Sequence, residues 1–280
     1  MNAGFLVLDK PEGITSHDLV ARARRILGTR KIGHAGTLDP MATGLMVLGI
    51  ESATRLLDYI MQGKKRYLAT VKVGVLTSTD DREGDVIATN EVNAASIERA
   101  IIDLESMIGV IDQVPSAVSA IKVDGKRAYQ RVRDGEKVEL KARQVEIFRI
   151  EILQARSDEI DLDITCSAGT YIRSIARDIG GHLISLRRIE ASPFTLADVK
   201  EISTEAIIPA ASAISKVLPS RNLSDEETSA LSFGKAITSS GMSGDSIAAI
   251  SPVGELVAII KDDGASASPK TVFATRVGAL

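Results

Sequence analysis

Apolar residues recur along the chain with two periods, and each period predicts one kind of element. Alternation with a period of two, or a short unbroken apolar run, predicts strands at residues 5–8, 45–50, 65–74, 150–155 and 160–166. A period near 3.6 predicts amphipathic helices at residues 16–27, 53–61 and 93–108. A loop at residues 167–171 leads into a further helix, which carries Arg173 in its first turn. We expect Ser16 and Ser52 to cap the first two helices and Gly28 to end the first.

The pattern changes twice. Between residues 115 and 149 it breaks into short, basic, Gly-punctuated pieces, which predict a projecting hairpin and helix rather than core. Residues 209–225 are interpreted as a linker. Beyond them, a short helix near residues 225–233 and strands at 246–250 and 256–261 predict a small β domain. We therefore divide the chain into a large domain, residues 1–215, and a small one, residues 221–280.

Composition limits the class of protein. The 280 residues are 44% hydrophobic and 25% charged, which is typical of a globular protein with a sizeable core. The chain has no apolar run of about 18 residues and no signal-peptide pattern, so we expect a cytoplasmic protein that does not enter a membrane. Cys166 is the single cysteine, which excludes an internal disulfide, and with three histidines it shows no metal-site spacing. We expect no metal.

The distribution of charge changes this picture more than the net charge of −3 does. Residues 20–35 carry five basic side chains and no acid, residues 64–66 are all basic, and residues 121–137 carry six basic side chains against three acids. Any one of these clusters could be a solvated helix face. Three of them in the first half of the chain favour a polyanionic partner.

The segment GHAGTLDPMATGLMVLG, residues 33–49, holds one acidic residue, Asp39, among small and apolar ones. Gly33, Gly36, Gly44 and Pro40 suit a shaped loop, because glycine reaches backbone angles that other residues avoid and proline fixes φ. The loop leads into a fully apolar strand. Asp39 is therefore either a turn residue, which composition alone favours, or a reactive carboxylate.

Candidate chemistry is restricted, because the P-loop, dinucleotide-binding and nucleophile-elbow motifs are absent from the sequence. Cys166 lies in an alternating strand and is interpreted as core. The acidic loop at residues 76–85 lacks the spacing of a calcium site and is interpreted as a solvated turn. Asp39, Arg173 and a tyrosine beside basic residues remain. Such a set could perform covalent catalysis on a flipped nucleobase, with no metal or cofactor.

Five separated motifs carry a resemblance to a known family. They are LVLDKPEGITSHDLV (6–20), GHAGTLDPMATGLMVLG (33–49), KRYLATVKVGVLTSTDDREGDV (65–86), PSAVSAIKVDGKRAYQRVRDGE (115–136) and CSAGTYIRSIARDIG (166–180). In this order they resemble the bacterial tRNA pseudouridine synthase B family over about residues 4–200. The resemblance implies an α+β fold, the pseudouridine-synthase fold, with a central mixed, largely antiparallel sheet flanked by helices. It also implies a small β-rich, PUA-like carboxy-terminal domain.

The resemblance implies an isomerase that converts uridine 55 in the T-loop of tRNA to pseudouridine, with no cofactor. Asp39 matches the catalytic nucleophile, Tyr67 the tyrosine that stacks on the flipped uracil and has been assigned a base role, and Arg173 the arginine that pairs with the aspartate. The remaining matches are Asp81 in the same ionic network, His34 in the gap left by the flipped nucleotide, Tyr171 in the active site, and Lys10, Pro11, Gly36, Thr37 and Leu38 as supporting residues. Residues 117–143 resemble the family's thumb, which closes on RNA.

Two alternatives stay open at this point. The basic clusters also suit an RNA chaperone that opens and refolds tRNA, alone or in addition to catalysis. A guide-dependent assembly would use the same chemistry on another RNA, but the sequence has no long basic extension to support it. We expect a monomer whose partner is the T-arm of tRNA. The tail from Arg221 onward has five basic and seven acidic residues, so we expect it to bind the acceptor stem weakly.

Overall fold

A computed structural model describes residues 3–116, 122–123, 126–127 and 140–273. The helices in these ranges are α1 (Ser16–Leu27), α2 (Leu57–Met61), α3 (Ala94–Ser106), α4 (Ile172–Asp178), α5 (Ala210–Ile214) and α6 (Asp225–Ser232), with 3-10 helices at Glu51–Leu56 and Leu196–Asp198. The strands are β1 (Gly4–Lys10), β2 (Ile32–His34), β3 (Thr43–Ile50), β4 (Lys65–Val73), β5 (Val75–Thr77), β6 (Val86–Thr89), β7 (Gly109–Gln113), β8 (Lys122–Val123), β9 (Lys126–Arg127), β10 (Arg143–Ala155), β11 (Glu159–Cys166), β12 (Gly181–Ala191), β13 (Phe194–Thr195), β14 (Ile208–Pro209), β15 (Ser220–Asn222), β16 (Ile237–Thr238), β17 (Gly244–Ile250), β18 (Leu256–Asp262) and β19 (Ser266–Val272).

One large sheet organises the first 209 residues. Within the described residues it has ten strands in the order β14-β1-β3-β12-β4-β11-β10-β7, with β13 paired to β12 and β2 paired to β3. The pairing of β3 with β12 is parallel, and the other pairings in this sheet are antiparallel. The predicted mixed, largely antiparallel sheet is therefore confirmed. The parallel step brings residues 43–44 beside residues 187–188, at the centre of the sheet.

Burial follows the predicted alternation. In β4, every second residue from Lys65 to Val73 is buried. The four of these side chains from Tyr67 onward join a core that also contains the apolar stripe of α1. The strand predicted at residues 45–50 is confirmed as part of β3, which is buried from Gly44 onward because helices cover both faces of the sheet here. Cys166 is buried as expected, and burial raises the pKa of its thiol to about 11.

Two of the predicted caps are wrong. Thr15, not Ser16, caps α1: the Thr15 side chain accepts from the Asp18 amide, and the Asp18 carboxylate accepts from the Thr15 amide. Ser16 turns inward, where its hydroxyl bonds to the backbone of Leu38. The helix predicted at residues 53–61 is a 3-10 helix followed by the short helix α2, and neither has a side-chain cap. Gly28 ends α1 with φ +66°, as predicted.

The linker predicted at residues 209–225 is also wrong. These residues contain α5 and β15, and α5 buries Ala210, Ala211, Ala213 and Ile214 against the core beside Phe5. Alanine has a small side chain, which allows this short helix to approach the sheet closely. The small residues that suggested a linker therefore pack against the core instead. The strand β14, which precedes α5, pairs with β1 and forms one edge of the large sheet.

A second sheet of five strands, in the order β15-β17-β18-β19-β16, lies in the described part of the carboxy-terminal region. The predicted strands at residues 246–250 and 256–261 and the predicted helix near residue 225 are confirmed, and Ser224 caps that helix. The polar strand β19 was not predicted, because SASPKTV shows no clean alternation. The region is β-rich as expected, and the division into residues 1–215 and 221–280 stays a prediction.

The hairpin and helix predicted between residues 115 and 149, and the thumb at residues 117–143, lie largely outside the described residues. Within the described part, β8 pairs with β9. Residues from Arg143 onward belong to β10, which begins earlier than the strand predicted at residues 150–155. In the described ranges we find no helix with the length and apolarity needed to cross a membrane.

Candidate active site

The loop at residues 35–42 connects the antiparallel strands β2 and β3 and is held on several sides. The Ala35 amide donates to the Val47 carbonyl at 2.8 Å, and the Gly13 amide donates to the Pro40 carbonyl at 2.9 Å. The Ala42 amide donates to the carbonyl of Asp39 itself at 3.1 Å. Together with the bonds of Ser16 to Leu38, these contacts hold the residues around Asp39 against the start of α1.

Gly44 shows why a glycine is needed behind the loop. Its φ is +102°, and a Cβ placed there would lie 2.2 Å from the carbonyl oxygen of Arg188. Any side chain at residue 44 would therefore push β3 away from β12 where the two strands pair in parallel. The strand that carries Asp39's loop can approach β12 this closely only with glycine at residue 44.

The carboxylate of Asp39 meets the guanidinium of Arg173, from the start of α4. The Asp39 Oδ1 atom accepts from Nη2 of Arg173 at 3.1 Å, and Oδ2 lies 3.0 Å from Nε. The Arg173 side chain is 5% exposed and that of Asp39 is 33% exposed, so the ion pair has one open side. Two parallel contacts fix the orientation of the carboxylate as well as its charge. Asp39 and Arg173 are 134 positions apart in the sequence, and the fold of the sheet brings their side chains together.

The buried side of Arg173 contacts the loop between β5 and β6. Its Nη1 atom donates to the Thr79 carbonyl at 2.8 Å and to the Ser116 hydroxyl at 3.3 Å, and it lies 3.5 Å from Oδ2 of Asp81. Asp81 accepts from the Thr79 hydroxyl at 2.5 Å. The interpretation of this loop as a solvated turn is therefore wrong for Asp81, whose side chain is 5% exposed.

Opposing effects act on the pKa of Asp39. Burial raises the pKa above its ordinary value, the positive charge of Arg173 lowers it, and the nearby Asp81 raises it again. Lys10 adds a smaller lowering effect. The carboxylate form of Asp39 therefore depends on the guanidinium beside it.

A cavity of about 360 Å³ opens beside this ion pair. Its lining includes the loop residues Gly36, Thr37, Leu38 and Asp39, the side chains Tyr67, Tyr171 and Arg173, and residues 61, 65, 168–170, 172, 186 and 188. Burial raises the pKa of Tyr67, and the adjacent Arg188 acts in the opposite direction. The ring of Tyr171 lies 4.7 Å from the guanidinium of Arg143, in a cation–π contact.

Arg188 is a residue of this site that we did not predict. It is fully buried in β12, donates from Nε to the Leu45 carbonyl at 2.7 Å, and donates from Nη2 to the Gly36 carbonyl at 3.3 Å. It therefore connects β3 to the loop of Asp39. The only signal in the sequence is the pair Arg187-Arg188, because alternation in a strand must turn one of two adjacent residues inward.

A second buried cation, Lys65, also lines the cavity without having been predicted. It donates to the Met61 and Gly63 carbonyls at 3.0 and 2.6 Å, at the end of α2. Burial, reinforced by Arg188, lowers the pKa of Lys65 to about 8. Alternation in β4 places it on the same face as Tyr67, which is the signal that could have identified it.

The remaining predicted residues lie around the cavity rather than in its wall. Lys10 is buried, and its ammonium donates to the carbonyls of Pro11, Ile14 and Pro40 at 2.9, 2.8 and 3.1 Å. It therefore joins the end of β1 to the loop, one residue from Asp39. His34 ends β2, outside the cavity lining, and its ring meets that of His17 edge-on with centroids 5.5 Å apart.

Comparison with known proteins places this chain in a family. Residues 24–172 match the model of the TruB family pseudouridylate synthase amino-terminal domain, and residues 218–274 match that of the tRNA pseudouridine synthase II carboxy-terminal domain. The chain is 44% identical to the tRNA pseudouridine synthase B of Arthrobacter sp. (strain FB24), covering 98% of this chain and 97% of that protein. It is 46% identical to the tRNA pseudouridine synthase B of Leifsonia xyli subsp. xyli, covering 95% of each.

Solved structures agree with the expected fold. A chain of a Cbf5-Nop10-Gar1 complex superposes with a TM-score of 0.72 at 26% identity, covering 98% of this chain and 85% of that one. The family models, the relatives over nearly the whole length and this superposition lead to one conclusion. The chain belongs to the TruB family of pseudouridylate synthases, which are isomerases.

Proposed function

We propose that this protein converts uridine 55 in the T-loop of tRNA to pseudouridine, with Asp39 as the nucleophile. The observation that carries the proposal is the Asp39 carboxylate, held by two contacts from Arg173 at the wall of a cavity that Tyr67 also lines. The relatives' name, tRNA pseudouridine synthase B, supports tRNA as the substrate. The T-loop and position 55 come from the motifs that the chain shares with that family.

The reaction rearranges one nucleotide without consuming anything. The bond between N1 of uracil and C1′ of ribose breaks, the base turns within the site, and C5 bonds to C1′. C5 loses its proton and N1 gains one, so the composition of the RNA is unchanged. Asp39 would hold the nucleotide covalently during the turn. Arg173 would keep the carboxylate oriented for attack, and Asp81 would keep the Arg173 guanidinium in place.

The cavity suits a single flipped base. Its volume of about 360 Å³ lies at the low end of the roughly 300–1,000 Å³ of small-molecule sites. Flipping costs a few kcal/mol, and stacking on one aromatic ring returns about 1–3 kcal/mol. Tyr67 alone would therefore offset only part of the cost. Further binding energy would come from phosphate contacts, for which the exposed arginines Arg22 and Arg25 of α1 are candidates.

Two further roles complete the proposal. His34 would occupy the gap that the flipped nucleotide leaves in the RNA loop, which its position outside the cavity wall permits. Burial raises the pKa of Tyr67, so its phenol is neutral in the free protein. A role for Tyr67 as a base therefore requires that the hydroxyl lose its proton during the reaction. The monomeric state, the cytoplasmic location and the contact with the T-arm stay predictions.

Mapping of pseudouridine in tRNA from cells that lack this protein tests the proposal. We expect position 55 to carry unmodified uridine, and we expect the wild-type gene, but not one encoding Asp39→Asn, to restore the modification. Pseudouridine at position 55 in the deletion strain would contradict the assignment of substrate.

A folding chaperone is a second candidate, because the exposed arginines of α1 offer a surface for RNA outside the cavity. Refolding of a misfolded tRNA by purified Asp39→Asn protein separates the two functions. Faster refolding with that variant would support a chaperone role in addition to catalysis. No effect on refolding, together with pseudouridine formation by the wild type, would leave catalysis as the function.

A further inference from the structure

Helix α4 carries two arginines one turn apart, and they contact two consecutive aspartates. Arg173 lies 3.5 Å from Asp81, and Arg177 lies 3.4 Å from Asp80. Residues four apart on a helix share a face, so both arginines reach the loop between β5 and β6. Arg173 belongs to the site described above. The second pair, Arg177 with Asp80, does not line the cavity.

The contacts of Arg177 connect three segments. Its Nη1 atom donates to the Asp80 carboxylate, its Nη2 atom donates to the Val114 carbonyl at 2.9 Å, and its Nε atom donates to Asp178 at 2.9 Å. Val114 lies two residues before Ser116, whose hydroxyl contacts Arg173. Arg177 therefore holds the loop and the segment around Val114 against the helix that carries Arg173.

Asp80 is fixed by its backbone as well. Its φ is +60°, which is uncommon for a residue with a side chain. Its amide donates to the Thr77 carbonyl at 3.3 Å, and its carbonyl accepts from the Leu183 amide at 3.1 Å. This turn lies between Thr79 and Asp81, the two residues of the loop that contact the buried side of Arg173. A residue with a side chain is strained in the left-handed region and persists there only where its surroundings hold it.

We propose that Asp80 and Arg177 are a positioning pair, which holds Thr79 and Asp81 against Arg173 and thereby orients the carboxylate of Asp39. The inference rests on the proposed function, because it assumes that Asp39 reacts. Neither residue touches the substrate in this account. The pair acts through the loop: Asp80 faces Arg177, the adjacent Asp81 faces Arg173, and the left-handed turn at Asp80 directs the two carboxylates to different arginines.

A pair that served stability alone would behave differently. The Asp80 side chain is 13% exposed and that of Arg177 is 28% exposed, and the contact between them is long. Loss of such a contact alters stability modestly. A positioning pair instead lowers the rate of the chemical step, while tRNA binding and folding are nearly unchanged. Its two members also act as one unit, so a double substitution is no worse than a single one.

The experiment is a double-mutant cycle on the full chain with Asp80→Asn, Arg177→Gln and the double variant. Single-turnover pseudouridine formation on a tRNA transcript gives the rate of the chemical step, filter binding gives the affinity, and thermal melting reports folding. The matched control is Arg99→Gln, which removes an arginine from the exposed pair with Asp103 on α3. We expect each single variant to lose about tenfold in rate, the double variant to lose no more, and the control to match the wild type.

Several results would overturn the positioning role: wild-type rates in both single variants, losses that multiply in the double variant, or a loss confined to tRNA affinity. If Arg177→Gln melts below the assay temperature, Asp80→Asn decides, because asparagine keeps the size of the side chain and removes its charge. Failure of the proposed function is recognised separately, by wild-type protein that forms no pseudouridine or by Asp39→Asn protein that still does. Full rates in the pair variants beside an inactive Asp39→Asn protein would reject this inference alone.

Discussion

Replacement of Arg173 by lysine keeps the positive charge but removes Nε and Nη2, the two guanidinium nitrogens that contact the Asp39 carboxylate. A lysine ammonium is a single point, so it cannot reproduce the contacts of Nε and Nη2 with the two carboxylate oxygens, at 3.0 and 3.1 Å. It also cannot reach the Thr79 carbonyl, now 2.8 Å from Nη1, from the same position. The variant therefore tests whether the orientation of the carboxylate, rather than charge alone, matters for the reaction.

The magnitude follows from the geometry of the pair. A misplacement of about 1 Å in a catalytic site can lower the rate by about 10²-fold. Lysine retains the charge but not both contacts with the Asp39 carboxylate, so we expect a loss of about 2–4 kcal/mol in transition-state stabilisation. At 1.36 kcal/mol for each factor of ten, this corresponds to a fall in rate of about 30- to 1,000-fold.

The assay is single-turnover release of tritium from a tRNA transcript labelled at C5 of uridine, with tRNA affinity measured by filter binding. We expect the affinity of Arg173→Lys to stay within about threefold of wild type, because Arg173 lies beneath the cavity rather than on an exposed RNA-binding surface. Arg149→Lys is the matched control, since Arg149 forms an exposed pair with Glu151. A rate for Arg173→Lys within threefold of wild type would refute the argument from geometry.

The pH dependence gives an independent check with Arg173→Gln. Burial raises the pKa of Asp39 and the guanidinium opposes that rise, so removal of the guanidinium raises the pKa further. Activity that needs the carboxylate is lost as the pH falls through this pKa. The acid limb of the rate profile should therefore move to higher pH in Arg173→Gln. An unchanged acid limb would show that Arg173 does not control the ionisation of Asp39.

Two further predictions concern Tyr67 and the central strands. Tyr67→Phe keeps the ring and removes the hydroxyl, so we expect tRNA affinity within about threefold of wild type and a turnover at least about tenfold lower. Full turnover would limit Tyr67 to stacking. Gly44→Ala should lower stability by about 3 kcal/mol or more in chemical denaturation, because it adds a steric clash with β12 to the strain of a positive φ. Gly13→Ala, with φ +84° and open space around it, should show the strain alone, at about 1 kcal/mol. Equal losses in the two variants would contradict the close approach at residue 44.

The elements that the sequence predicts well are those in which burial alone sets the pattern. The alternation at residues 65–74 matches β4 because one face of the strand lies on the core. Residues 45–50 form an unbroken apolar run, which predicts a buried strand, because helices cover both faces of the sheet there. The linker prediction at residues 209–225 fails because alanine and serine are common both in linkers and in tightly packed short helices.

The candidate site could be predicted only in part, because its contacts join distant segments. Local patterns singled out Asp39 but favoured a turn. Elimination of other motifs left Arg173 as a possible partner of Asp39, and the resemblance to the family then implied their pairing. Arg188 and Lys65 were missed because their charges are satisfied by backbone carbonyls, which leave no trace in composition. Asp80 was missed because its carboxylate and that of Asp81 face different arginines only through the turn at Asp80. That turn depends on the positive φ of Asp80, which residue type does not specify.

The central claim is that Asp39 carries out the isomerisation of one uridine in tRNA. The most direct measurement is nucleotide-resolution mapping of pseudouridine in an unmodified tRNA transcript, after incubation with purified wild-type or Asp39→Asn protein at concentrations where both bind. We predict a single pseudouridine at position 55 with the wild type and none with the variant. Pseudouridine at position 55 after incubation with Asp39→Asn protein would contradict the account.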